Sequence, residues 1–203
     1  VGEVQIVQDL LQRPDVAAIA ISPSNAPLMA KMLREQAPKI PIMTIDADFL
    51  AEDADLRATY LGTDNYLMGV KFAEHLKALK PEGGTVCLQL GNVAAANINA
   101  RAAGTRDTLS GEAGIERLEG QGGWTEIAGC PVFTNDQADL ANQQMADTFT
   151  ANPDLTAFML IGGWAQFAPQ AYAQVTDQVM PKLQDKSLVI VAGDTLPPQM
   201  EAL

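Results

Sequence analysis

Apolar residues along the chain fall into short, nearly continuous runs separated by stretches with helical spacing. Asp15–Ile21, Ile40–Ile45, Ala58–Gly62, Thr85–Leu90, Leu155–Ile161 and Leu188–Ala192 read as strands buried on both faces. Between them, apolar positions recur at helical intervals over Val4–Leu11, Ala26–Gln36, Tyr66–Leu79, Asn97–Leu109, Gln137–Thr150 and a stretch running from Trp164 to about Met180. Leu28, Met29, Met32 and Leu33 would share the buried face of one helix. Leu140, Ala141, Met145, Thr148 and Phe149 would share that of another. Ser24 or Asn25 can cap the Ala26–Gln36 helix, with Pro27 in its first turn. Ile115–Glu119 and Glu126–Pro131 read as extended segments around the glycine-rich turn Gly120–Gly123, and Trp124 as a structural turn residue. Phe49–Arg57 reads as an acidic connection, and Pro197–Leu203 as the opening of a further helix.

Strand and helix alternate through most of the chain. That order predicts an α/β fold of right-handed crossovers and parallel sheets. An internal echo divides it: Pro14-Asp15-Val16-Ala17-Ala18-Ile19-Ala20-Ile21 recurs as Pro153-Asp154-Leu155-Thr156-Ala157-Phe158-Met159-Leu160. A turn, a helix and a second strand follow each copy, and those second strands end at Asp46 and Asp194. Duplication explains the shared Pro-Asp start and the matching terminal Asp. It implies two similar domains whose strand ends face a common cleft.

With 203 residues, 47% of them hydrophobic, the chain can bury a substantial core. No run approaches the roughly 18 apolar residues of a membrane span. A net charge of -12 argues against a nucleic-acid surface, which needs a basic footprint. The two cysteines, Cys87 and Cys130, lie far apart without a C-x-x-C, so no metal site is expected. Whether they pair is open: they fall on separate predicted strands, where a disulfide is geometrically demanding. The single histidine, His75, offers little for acid–base chemistry. Both ends read as interior to a longer chain.

The candidate chemistry gathers at predicted strand ends. Pro41–Asp48 is an apolar run closing on two carboxylates, Asp46 and Asp48, where open α/β sheets hold ligands. Asp46 would equally serve as a turn cap. Asn97 and Arg101, four apart, share a helix face after a loop of small residues. Arg offers a rigid fork of donors; Asn offers a donor and an acceptor. Trp164, after two glycines, is either a stacking face or a plug between domains. Ser22, Asn135, Asp136 and Asp194 complete a set of residue types suited to a sugar, which has an apolar C–H face and a rim of hydroxyls. There is no G-x-S-x-G, no Walker motif and no G-x-G-x-x-G after a strand. Asp46 and Asp194 could pose as a glycosidase pair, but nothing else supports one.

In their order and spacing these residues resemble the periplasmic sugar-binding proteins of the ribose-binding, LacI-like class. The resemblance runs through Asp15–Ser22 with Pro23, Ile40–Asp48, Leu61-Gly62-Thr63-Asp64-Asn65-Tyr66 with Gly69, Asn97 to Gly104, Asn152-Pro153-Asp154, and Val191–Asp194 with Thr195. It implies two Rossmann-like domains: a partial N-terminal lobe over residues 1–63 and a C-terminal lobe over residues 64–203. It also implies a ligand set of Ser22, Asp46, Asp48, Asn97, Arg101, Asp136, Trp164 and Asp194. Ala47 stands where ribose binders use Arg, and Gly162-Gly163-Trp164 replaces the usual Asn-Asp. Trp164 would then supply the ring lost at Asp136, for a sugar other than ribose or for a polyol.

The expected function is that of a monomeric periplasmic receptor without cofactor, metal or enzymatic activity. It would bind a small sugar or polyol between its domains and deliver it to an ABC transporter permease. The alternative is the ligand-sensing domain of a regulator or membrane sensor kinase.

Overall fold

The computed structural model describes residues 2 to 201. They fall into two compact units. One holds the residues up to Asp64 together with Ala94–Asn99; the other holds Asn65–Val93 and the chain from Ala100 onward. Among the described residues, no helix is long and apolar enough to cross a membrane. The expected helix Pro197–Leu203 is seen as α7 (Pro197–Glu201); its last two residues lie outside the described residues.

In the first unit, α1 (Gly2–Leu11), β1 (Ile19–Ile21), α2 (Ala26–Gln36), β2 (Ile42–Ile45) and β3 (Thr59–Leu61) follow one another. The strands form a parallel sheet in the order β1-β2-β3, with Ile19 opposite Ile42 and Met43 opposite Thr59. Asn25 caps α2: its Oδ1 accepts from the Leu28 N–H at 3.0 Å, one of the donors a helix start leaves unpaired. The helix stops at Ala37, which turns left-handed (φ 44°). Val7, Ile19, Ile21, Met29, Leu33 and Ile42 form the core. Leu28 does not join it and is exposed, because the buried stripe centres on Met29, Ala30, Met32 and Leu33. The strands are shorter than their apolar runs: Pro41 has no N–H to donate, so β2 begins after it. The acidic connection coils into a 3-10 turn, Ala51–Leu56.

The second unit contains α3 (Asn65–Leu79), β4 (Gly84–Leu90), most of α4 (Ala96–Ser110), β5 (Trp124–Glu126), β6 (Val132–Phe133), α5 (Ala138–Ala151), β7 (Ala157–Leu160), α6 (Pro169–Gln184) and β8 (Val189–Ala192). Its parallel sheet runs β5-β4-β7-β8, with β6 pairing β4 beyond β5. Cys87, Val86, Leu88, Phe158, Met159 and Leu160 are almost wholly buried at its centre. Phe149 of α5 meets Phe158 edge-on at 5.3 Å. A methyl at Gly69 would strike the Arg101 backbone carbonyl, and one at Gly104 the Tyr66 carbonyl. These two glycines therefore let α3 and α4 cross in backbone contact.

The segment from Ile115 to Pro131 departs from the sequence expectation. Ile115–Glu119 forms no strand; Glu119 makes only an isolated bridge to Thr125. Trp124 is no turn residue but opens β5, fully buried. The predicted Glu126–Pro131 strand breaks after Glu126, for a clear reason. The Arg117 guanidinium donates to the carbonyls of Glu126 (3.0 Å), Ile127 (2.7 Å) and Cys130, bending the chain around itself. Cys130, in that bend rather than on a strand, is bonded to Cys87 of β4, with their Cα atoms 5.4 Å apart. The open question of their pairing is thus answered by a disulfide. Glu126 is buried and takes a bidentate pair from Arg106 (2.7 and 3.0 Å).

Candidate functional site

Each unit brings its predicted residues to the C-terminal ends of its parallel strands. In the first, Ser22 follows β1 and Asp46 follows β2, both exposed. Ser22 Oγ lies 3.5 Å from Asp46 Oδ2, so neighbouring strand ends hold the two polar groups together. Asp46 is left-handed (φ 60°), a conformation Asp tolerates better than most residues. The Asp46 N–H donates to the Leu61 carbonyl (3.1 Å), and the Tyr60 hydroxyl donates to the Asp46 carbonyl (2.8 Å). The backbone under Asp46 is thus fixed, while the residue itself is exposed.

Asp48 has partners within its own unit. Its carboxylate receives both arms of Arg57 (2.6 and 2.7 Å) and the Thr44 hydroxyl (2.5 Å). Burial works against its charge, but the Arg57 and Thr44 hydrogen bonds win and hold its pKa below the ordinary carboxylate value. Ala47, between the two acids, is buried. Asn97, half-buried in the first turn of α4, accepts the Ile98 N–H at 2.9 Å.

In the second unit the strand ends carry Asn135 and Asp136 beyond β6, Trp164 beyond β7 and Asp194 beyond β8. Asn135 (φ 48°), Asp136 (φ 61°) and Asp194 (φ 68°) are all left-handed. With Asp46 they are four of the six non-glycine residues with positive φ among the described residues, so this strained conformation gathers at strand ends that carry candidate site residues. Arg101 is buried. It donates from Nε to Asn65 Oδ1 (2.8 Å) and from Nη1 to the Ile161 carbonyl (3.2 Å), with Asp194 Oδ1 3.7 Å from Nη1. The Trp164 ring and the Asp136 carboxylate both crowd the Cα of Gly91. The second unit therefore assembles Arg101, Asp136, Trp164 and Asp194 along adjoining strand ends, offering an aromatic surface, a fixed donor fork and two acceptors.

Sequence reasoning did not identify Asn65 and Arg57. Asn65 enters the sequence reading only within the Leu61–Tyr66 stretch of the family resemblance, and nothing in a 36-residue separation shows that it meets Arg101. A groove of about 520 Å³ lies at the N-terminal ends of β2 and β3, and one of about 440 Å³ flanks β8. Neither is lined by a predicted residue.

A periplasmic binding protein domain model matches residues 2–203. Among solved structures, an ABC transporter solute-binding protein from Burkholderia graminis, in complex with D-arabinose, superposes with a TM-score of 0.76 at 26% identity, over 98% of this chain and 63% of that one. A carbohydrate transporter solute-binding protein from Agrobacterium radiobacter, also with D-arabinose, gives 0.73 at 25% identity over 98% and 62%. The XylFII-LytSN complex gives 0.79 at 16% identity over 98% and 66%, a likeness of fold alone. No curated protein matches significantly. The chain spans less than two thirds of the length of the first two structures. It has the type I periplasmic binding protein fold, and it belongs to the periplasmic binding protein domain family.

Proposed function

We propose that this chain forms the ligand-binding part of a periplasmic solute receptor that takes a small sugar and delivers it to an ABC importer. The observation that carries this reading is the second unit's cluster, in which the buried Arg101 fork stands beside Asp194 on the strand ends that also bear Trp164 and Asp136. The D-arabinose complexes of the two carbohydrate-binding relatives support it. The first unit acts as a partial N-terminal lobe and the second as a C-terminal lobe, closing on the ligand by a hinge motion. Asp46 and Asp194 accept sugar hydroxyls, Arg101 donates to ring or hydroxyl oxygens, and Trp164 stacks on the C–H face. Ser22 and Asn97 add polar contacts. Asp48, committed to Arg57 and Thr44, supports the loop that carries Asp46.

Thermal denaturation of the intact natural polypeptide with a panel of pentoses, hexoses and polyols tests the reading, because a ligand that binds only the folded state raises the melting temperature. A shift with one or a few members is expected, and no release of sugar from aryl glycosides. Glycoside turnover lost in Asp194→Asn would replace this reading with a hydrolase.

A further inference from the structure

Glycine is required at a position either by its backbone conformation or by the space around it. At Gly91 and Gly162 the backbone makes no such demand, since neither is among the residues with positive φ. The space does. A methyl at Gly91 would run into Cη2 and Cζ2 of Trp164 and into Asp136 Oδ1. A methyl at Gly162 would run into Cζ3, Cη2 and Cε3 of the same ring. β4 and β7 pair in parallel with Gln89 opposite Leu160; two residues further, the same register sets Gly91 beside Gly162. The six-membered part of the indole thus lies across two adjacent glycines where the strands leave the sheet, with a carboxylate alongside. Trp164 is half-buried and packs at the border of the second unit's core.

We infer that Gly91 and Gly162 are specificity-determining positions: they seat Trp164 as a platform beside Asp136 that selects a cyclic sugar over the corresponding open-chain polyol. This rests on the sugar-receptor reading and narrows its ligand class. A pyranose or furanose ring presents a contiguous apolar C–H face to the indole while a rim hydroxyl reaches the carboxylate. A linear alditol has the same hydroxyls but no such face, and must lose chain entropy to imitate one.

The seat is tested without ligand by acrylamide quenching of tryptophan emission, because Trp124 is buried and contributes a constant background. Gly91→Ala and Gly162→Ala are expected to make Trp164 more quenchable; unchanged quenching in both overturns the inference. In the second arm D-arabinose and D-arabitol are titrated into wild type, Gly91→Ala, Trp164→Ala and the double variant. Wild type is expected to favour the cyclic sugar by roughly tenfold, the scale of one aromatic contact. Each single substitution should erase that preference, and the double variant should be no worse than Trp164→Ala, since both remove the same contact. Losses that multiply in the double variant, or equal affinity of wild type for both compounds, overturn the inference. Should Gly91→Ala fail to fold, adding Trp164→Ala is expected to restore folding, and failure to do so counts against the seat. If no sugar binds wild type, the receptor reading falls, and the quenching arm alone decides whether the glycines seat the ring.

Discussion

Arg101 Nε donates to Asn65 Oδ1 at 2.8 Å, so the first residue of α3 holds the guanidinium that α4 carries to the strand ends. The backbone contact of the two helices at Gly69 and Gly104 brings the pair within reach. Both residues are buried, and removing one leaves the other's polar group with a desolvation cost of about 1–3 kcal/mol. Asn65→Ala is therefore expected to lower stability by that amount and to weaken sugar binding by roughly tenfold or more. Asn65→Asp, which keeps the acceptor, should retain most of the affinity. Calorimetric titration and denaturant unfolding of both variants check this.

The Asp48–Arg57 pair makes a prediction about pH. The pKa of Asp48 in the folded chain is depressed: burial opposes the shift, and the Arg57 and Thr44 hydrogen bonds outweigh it. A depressed aspartate stabilises the fold fully above its unfolded value of about 3.9, and that stability drains as pH falls through the lower folded value. Acid unfolding curves of Asp48→Asn should therefore be flatter than wild type below about pH 4, and the variant should be less stable at neutral pH. Equal acid sensitivity in the two proteins would show that the pair contributes nothing.

The Cys87–Cys130 disulfide links residues 43 apart, for which the chain-entropy account gives about 4 kcal/mol. Reduction, or Cys130→Ala with Cys87→Ala, is expected to lower unfolding free energy by roughly 2–4 kcal/mol. Because Arg117 separately holds the carbonyls of Glu126, Ile127 and Cys130, the bend should persist in the reduced protein. Amide exchange over residues 127–131 reads that directly.

Asp46 and Asp194 offer a clean pair of substitutions. Asn tolerates the left-handed backbone of both sites while replacing an anionic acceptor with a neutral amide. Asp46→Asn and Asp194→Asn should each weaken sugar binding by tenfold or more, on the scale of a charge-assisted hydrogen bond of about 1.5–3 kcal/mol, with melting temperatures near wild type. Asp194→Val, β-branched at φ 68°, should lose stability as well. Ligand titration beside thermal melts separates the two effects.

Much of this was legible in the sequence because the signals were local. Asn25 and Pro27 marked the start of α2, and the apolar runs marked every inner strand, since a buried strand cannot carry charge in its middle. The echo at Pro14 and Pro153 pointed to two strand–helix–strand units ending in left-handed aspartates. What stayed hidden depends on contacts distant in sequence. The Arg57 that pairs with Asp48 lay inside an apparently plain acidic connection. The break after Glu126 depends on Arg117, which a window of apolar spacing cannot register. Nothing local at Gly91 shows that it must be small; only the placed indole does.

Isothermal titration of the intact natural polypeptide with D-arabinose, D-fucose, D-allose and D-tagatose is the most direct test of the receptor reading. A saturable one-to-one heat is predicted for at least one of them, with a dissociation constant in or below the micromolar range, about −8 kcal/mol, and strongly weakened in Asp194→Asn. The absence of saturable heat from all four up to about 1 mM, where binding is worth only about −4 kcal/mol, would contradict it.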